Sequence, residues 1–171
     1  MNVFIYSILL LLFVVIQSSV LNMFLPVYMT PDLVAVFVVY ASMNRKYLNS
    51  IVAIFMCSYV LAIYSSESFY IIAVSLLITF GVSRYITINF YTRKIYYMTL
   101  GMFLSLFSGK LFVLIWTGFD GFVLFMEHFL YLFIQSVLTA FIGLLLFKFF
   151  KLIDIKTRII EEETVKAGES F

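Results

Sequence analysis

Pro26–Tyr40, PVYMTPDLVAVFVVY, is the stretch on which the fold turns. No side chain from Met1 to Pro31 is charged, and beyond Tyr40 apolar runs continue almost to Phe150. Within the stretch Thr30 suits an N-cap. Pro31 suits the first helical position, where its missing N–H does no harm, and Asp32 faces the positive end of the helix that Leu33 continues. Pro31, Asp32 and Leu33 therefore form a candidate helix-start motif, or alternatively a contact for a partner. The helix so opened reaches Asn44, just before Arg45-Lys46. At about 14 residues and roughly 21 Å it falls short of the ~30 Å hydrocarbon core. It needs either an extra turn at one end or a locally thinned bilayer.

Composition puts the rest of the chain in the same medium. Of the 171 residues 64% are hydrophobic and 12% charged, with a mean hydropathy of +1.12. A soluble domain of this length needs about twice that charge on its surface. One crossing takes about 20 apolar residues, so five or six crossings leave little for loops. A single cysteine rules out a disulfide framework within the chain and a multi-cysteine metal site. The basic residues are shared among membrane flanks rather than gathered on one face, which argues against nucleic-acid binding.

Outward from the opening stretch, six spans are expected, all α-helical. The first covers about Val3 to Leu25 and reads as a retained helix, because it lacks a basic leader and its apolar core is long for a signal peptide. The second starts at Thr30. The others occupy Leu48–Ser66, Phe69–Asn89, Ile95–Thr117 and Phe129–Phe150, with Gly118–His128 as the longest loop. Residues 1–150 are thus a six-span transmembrane domain, and 151–171 a short amphipathic or disordered tail. Arg45, Lys46, Arg84, Arg93, Lys94, Lys148, Lys151, Lys156, Arg158 and Lys166 all follow even-numbered spans. Of the eleven basic residues only Lys110 does not. The positive-inside rule then places both termini and the tail in the cytoplasm, with Asp32, Glu67, Asp120, Glu127 and His128 toward the outside.

Few residues carry chemistry. Lys110 lies about seven residues, roughly 10 Å, from the outer end of its span, and Gln17 and Gln135 lie at comparable depth. These three could form an intramembrane polar layer. No acid stands deep in any span to pair with Lys110, so its stem is expected to carry the ammonium to the outer headgroups. Arg84 is read as snorkelling likewise. Gly101, Ser105 and Gly109 recur every fourth residue and give the fifth span a small-residue packing face. Gln135, Thr139 and Gly143 do the same on the sixth. Glu127-His128 reads as an interfacial polar pair and Cys57 as a packing residue. No phosphate loop, nucleophile–base pair or metal spacing is present in the sequence, so no enzyme activity and no cofactor are expected.

Two pieces of the chain resemble a known family. VVIQSSVLNMFLP followed by TPDLVAVFVVYASMNR looks like the start of the rod shape-determining protein MreD, through Gln17, Ser18 and Ser19 and then Pro31, Asp32 and Leu33. The later spans agree in layout alone. The third span departs from the family pattern, having no glycine and ending at Glu67 where an aspartate is usual. The resemblance implies a noncatalytic scaffold of the bacterial cytoplasmic membrane that serves cell elongation and peptidoglycan synthesis. Its implied partners are MreC, RodA with its transpeptidase and, indirectly, MreB, within membrane lipid. The family's six-span fold is also similar to the substrate-binding subunits of energy-coupling-factor vitamin transporters. A small-ligand capture subunit is therefore the alternative.

Overall fold

The computed structural model describes residues 11–24, 26, 29–44, 47–65, 67–89, 95–118 and 122–168. Residues 3–10 of the first expected span, the basic pairs Arg45-Lys46 and Arg93-Lys94, and Asp120 lie outside the described residues. So do the side chains of Lys156, Arg158 and Lys166. The described chain is all helical. Helix α1 covers residues 11–24 and includes a π-helical stretch, Ile16–Leu21. It is followed by α2 (Leu33–Asn44), α3 (Tyr47–Tyr64), α4 (Phe69–Asn89), α5 (Ile95–Thr117) and α6 (Phe122–Gly168).

Helix α2 is the centre of the bundle. It has no polar face to offer water, and every side chain from Leu33 to Ser42 is buried. A helix that is apolar all round belongs in an interior, and α3, α4, α5 and α6 all pack on this one. At one end the ring of Phe150 on α6 meets the edges of Phe13 on α1 and Phe37 on α2, and Tyr40 packs on Phe147 and Phe150. With 12 residues, α2 is only about 18 Å long. It starts and ends inside the other helices' lengths.

Among the described residues three helices are long and apolar enough to cross a membrane: Phe69–Asn89, Tyr96–Thr117 and Leu124–Ile153. Helices α2 and α3 supply shorter apolar segments. The outward faces stay apolar, with Tyr70, Ile115, Leu130, Phe141 and Leu145 all exposed. Water would not tolerate so continuous an apolar surface on a small protein, whereas lipid requires it. This is a helical, multi-pass membrane protein.

The ends of α4 and α5 coincide with the fourth and fifth expected spans. Gly118, in the left-handed region at φ 63°, terminates α5 just past Thr117 in the way a glycine commonly closes a helix. The expected loop Gly118–His128 is corrected: α6 begins at Phe122 and already carries Glu127 and His128. It then runs through Phe150 without a break to Gly168. At 47 residues it is about 70 Å long, over twice the hydrocarbon thickness. Charge in its distal part is compatible with helix as soon as the helix has left the apolar layer.

Close packing of α4 on α5 uses the small-residue face. A Cβ at Gly109 would meet Thr79 Oγ1 and come within 2.8 Å of the Ser75 carbonyl, and one at Gly101 would touch Ile86 at 3.0 Å. Ser75 Oγ donates to the Gly109 carbonyl at 3.1 Å, while Ser105, fully buried, returns its hydroxyl to the Gly101 carbonyl. Gly109→Val is expected to push the two helices apart and lower stability by about 1–3 kcal/mol. Thermal unfolding in detergent measures it. Gly81→Val, at a glycine with open space around it, should cost far less.

Candidate intramembrane polar site

The N-terminus of α2 is inside the protein, so its free N–H groups must find partners there. Asp32 is the cap: its Oδ1 accepts from Ala35 N–H at 3.0 Å, and its carbonyl accepts from Val36 N–H at 3.2 Å. Thr30, expected in that role, stands two residues earlier and is buried. The carboxylate of Asp32 is the better cap because it also opposes the positive end of the helix dipole. Pro31 consequently precedes the helix rather than starting it.

The other donors are met by α1 and α6. Gln17 Oε1, from the π-helical stretch of α1, accepts from Leu33 N–H at 3.0 Å and lies 3.5 Å from Val34 N. Thr139 Oγ1 on α6 accepts from Asp32 N–H at 3.1 Å and donates to the Gln135 carbonyl at 2.7 Å. Gln135 Nε2 in turn donates to the Thr30 carbonyl at 2.8 Å. All four leading N–H groups of α2 are thus accounted for, the second from Gln17 at long range. A helix end saturated in this way holds the chain together and has no donor to spare for an outside anion.

Lys110 completes the site from α5. Its Nζ is 4.0 Å from Asp32 Oδ2, with the two side chains 13% and 24% exposed. The nitrogen itself is enclosed and has no hydrogen-bond partner among the described residues. The expected snorkelling of Lys110 is overturned: the ammonium points inward, because Asp32 lies inside the bundle rather than at its outer rim. Measured along α5, Lys110 is seven residues from Thr117, about 10 Å, so the start of α2 lies at similar depth. The polar residues Gln17, Lys110 and Gln135 are therefore brought to one place, around the Thr30–Leu33 segment.

The far end of α2 has a matching arrangement that sequence reasoning missed. Arg84 Nη1 donates to the Ser42 carbonyl at 2.6 Å, and the Ser42 and Ser83 hydroxyls are 2.6 Å apart. Arg84, expected to snorkel, instead puts a cation on the negative end of the helix dipole. The sequence clue was its place, five residues before Asn89 at the end of α4.

Elsewhere the expected residues stay apart from this site. Glu127 and His128 are exposed on α6, and His128 Nδ1 lies 2.8 Å from the Leu124 carbonyl of its own helix. Cys57 is buried on α3. Gly143 packs against Met102 and Val36, so α6 closes on α2 along the face carrying Gln135 and Thr139. No group of three His, Cys, Asp or Glu side chains comes together among the described residues. No family model, curated protein or solved structure matches the chain.

Proposed function

We propose that this chain is a noncatalytic membrane scaffold of the bacterial cell-elongation machinery, a divergent protein of the MreD kind. One observation carries the reading. The two sequence pieces that resemble that family, around Gln17 and Pro31–Leu33, form a single structural unit in which Gln17 bonds the first turn of α2. In this reading six helices span the cytoplasmic membrane with both termini inside, and MreC and RodA with its transpeptidase bind the bundle. MreB is reached through them. Reporter fusions after Asn44, Asn89 and Phe150 should all read cytoplasmic, and a periplasmic signal at any of them would break the topology.

The test of function is isolation of the protein from its native membrane in mild detergent, followed by identification of what accompanies it. Elongation proteins are the expected companions. The second reading, a ligand-capture subunit of a transporter, draws on the enclosed Lys110 ammonium, a polar group with unspent donors inside the bundle. An ATPase pair in the isolate would establish that reading and displace the first.

A further inference from the structure

The contact between Lys110 and Asp32 is an ion pair without a hydrogen bond. At 4.0 Å the atoms are well beyond the ~2.7–2.9 Å of a charge-assisted bond. Asp32 Oδ1 is already engaged by the Ala35 N–H, and the Lys110 nitrogen, enclosed, has no hydrogen-bond partner among the described residues. The ammonium is held inside by charge alone. Asp32 keeps 24% of its side chain exposed.

We infer that the pair is a charge latch: ionised Asp32 holds Lys110 inward against the start of α2, and neutralising Asp32 releases Lys110 toward the Gly118 end of α5. The groups facing Asp32 make it the controlling charge. Lys110 faces it from α5, and the Cys57 thiol on α3 is in electrostatic reach. Helices α1 and α6 present the uncharged Gln17, Gln135 and Thr139. The charged side chain that α4 brings to α2, Arg84, sits at the opposite end. Once Asp32 is neutral, an unpaired ammonium in an apolar interior is the costlier arrangement. The lysine stem covers much of the roughly 10 Å to the helix end, aided by local thinning of the bilayer. Release leaves the α2 start held by Gln17 and Thr139, so the bundle does not come apart. The latch is independent of which partners the protein has.

The full-length protein in detergent, treated with an N-hydroxysuccinimide acetylating reagent, provides the test. Peptide mass spectrometry gives acetylation of Lys110 relative to Lys151, which is exposed on α6. The reagent attacks only the free amine, so the proteins are compared at one alkaline pH. The wild-type ratio should be low. In Asp32→Asn it should be raised at least about tenfold, whereas Asp32→Glu should stay low. Protection of Cys57 from a thiol reagent shows that each protein is folded. A low ratio in folded Asp32→Asn overturns the latch, and so does a wild-type ratio as high as that of Asp32→Asn. If Asp32→Asn does not fold, Asp32→Ser, which keeps a capping oxygen without the charge, takes its place in the same comparison.

Discussion

Lys110→Met should be among the most damaging single substitutions in the bundle, lowering stability by about 3 kcal/mol. Methionine fills nearly the same volume, so packing is largely kept and the loss is electrostatic. It leaves the Asp32 carboxylate at a buried helix start without its counter-charge. Breaking a buried pair from one side typically costs about 3–5 kcal/mol. The low end applies because a quarter of the Asp32 side chain remains exposed and the helix dipole still favours its charge. The chain provides its own reporter. Cys57 is its single cysteine and is completely buried, so a fluorogenic thiol dye responds only when the bundle opens. The substitution should move the melting midpoint well below that of the wild type. A lysine that snorkelled to the headgroups would allow the same change with no shift.

Gln17→Met should cost nearly as much by a different route. The variant keeps the length of the side chain and removes the carbonyl oxygen that accepts from Leu33 N–H and draws near Val34 N. Each buried donor left unmet costs about 1–3 kcal/mol. The loss should be about 2–4 kcal/mol in all, since the Val34 contact is long. Gln135→Met is the internal comparison. Gln135 donates to the Thr30 carbonyl, an acceptor with a second lone pair for water or a relaxed neighbour, so about 1 kcal/mol is expected. The thiol-dye midpoints should therefore fall in the order wild type, Gln135→Met, Gln17→Met. Equal effects for the two glutamines would mean that the α2 start is not held mainly from α1.

Much of the architecture was legible in the residues themselves. The limits of α4 and α5 follow from long apolar runs, each broken by a single basic residue, closed by Asn89 and by Gly118, both local signals. The polar trio Gln17, Lys110 and Gln135 was visible as a matter of depth along three helices. What could not be read was that α2 is a short helix enclosed by the others. Its length pointed to a thin crossing, and the sequence carries no mark that says where in the bundle a 12-residue apolar helix begins. The role of Lys110 follows from that alone: with Asp32 at the outer rim it has no partner, and with Asp32 inside it has one. Thr139 was hidden for a similar reason. A threonine one turn from Gln135 reads as a small packing residue until a backbone donor from another helix is placed against it. The extension of α6 was missed because its composition turns polar, a change that marks the edge of the membrane and not the end of the helix.

The charge pair at the start of α2 sets how the bundle is held together, and a double-mutant cycle measures it. Asp32→Asn, Lys110→Met and the combination are each melted with the Cys57 reporter in the same detergent. If the two charges meet inside the bundle, Lys110→Met strands the Asp32 carboxylate, whereas the double variant, with no charge left to strand, should be more stable than Lys110→Met alone. A double variant whose loss equals the sum of the two single losses would mean that Asp32 and Lys110 do not interact, and would contradict the account.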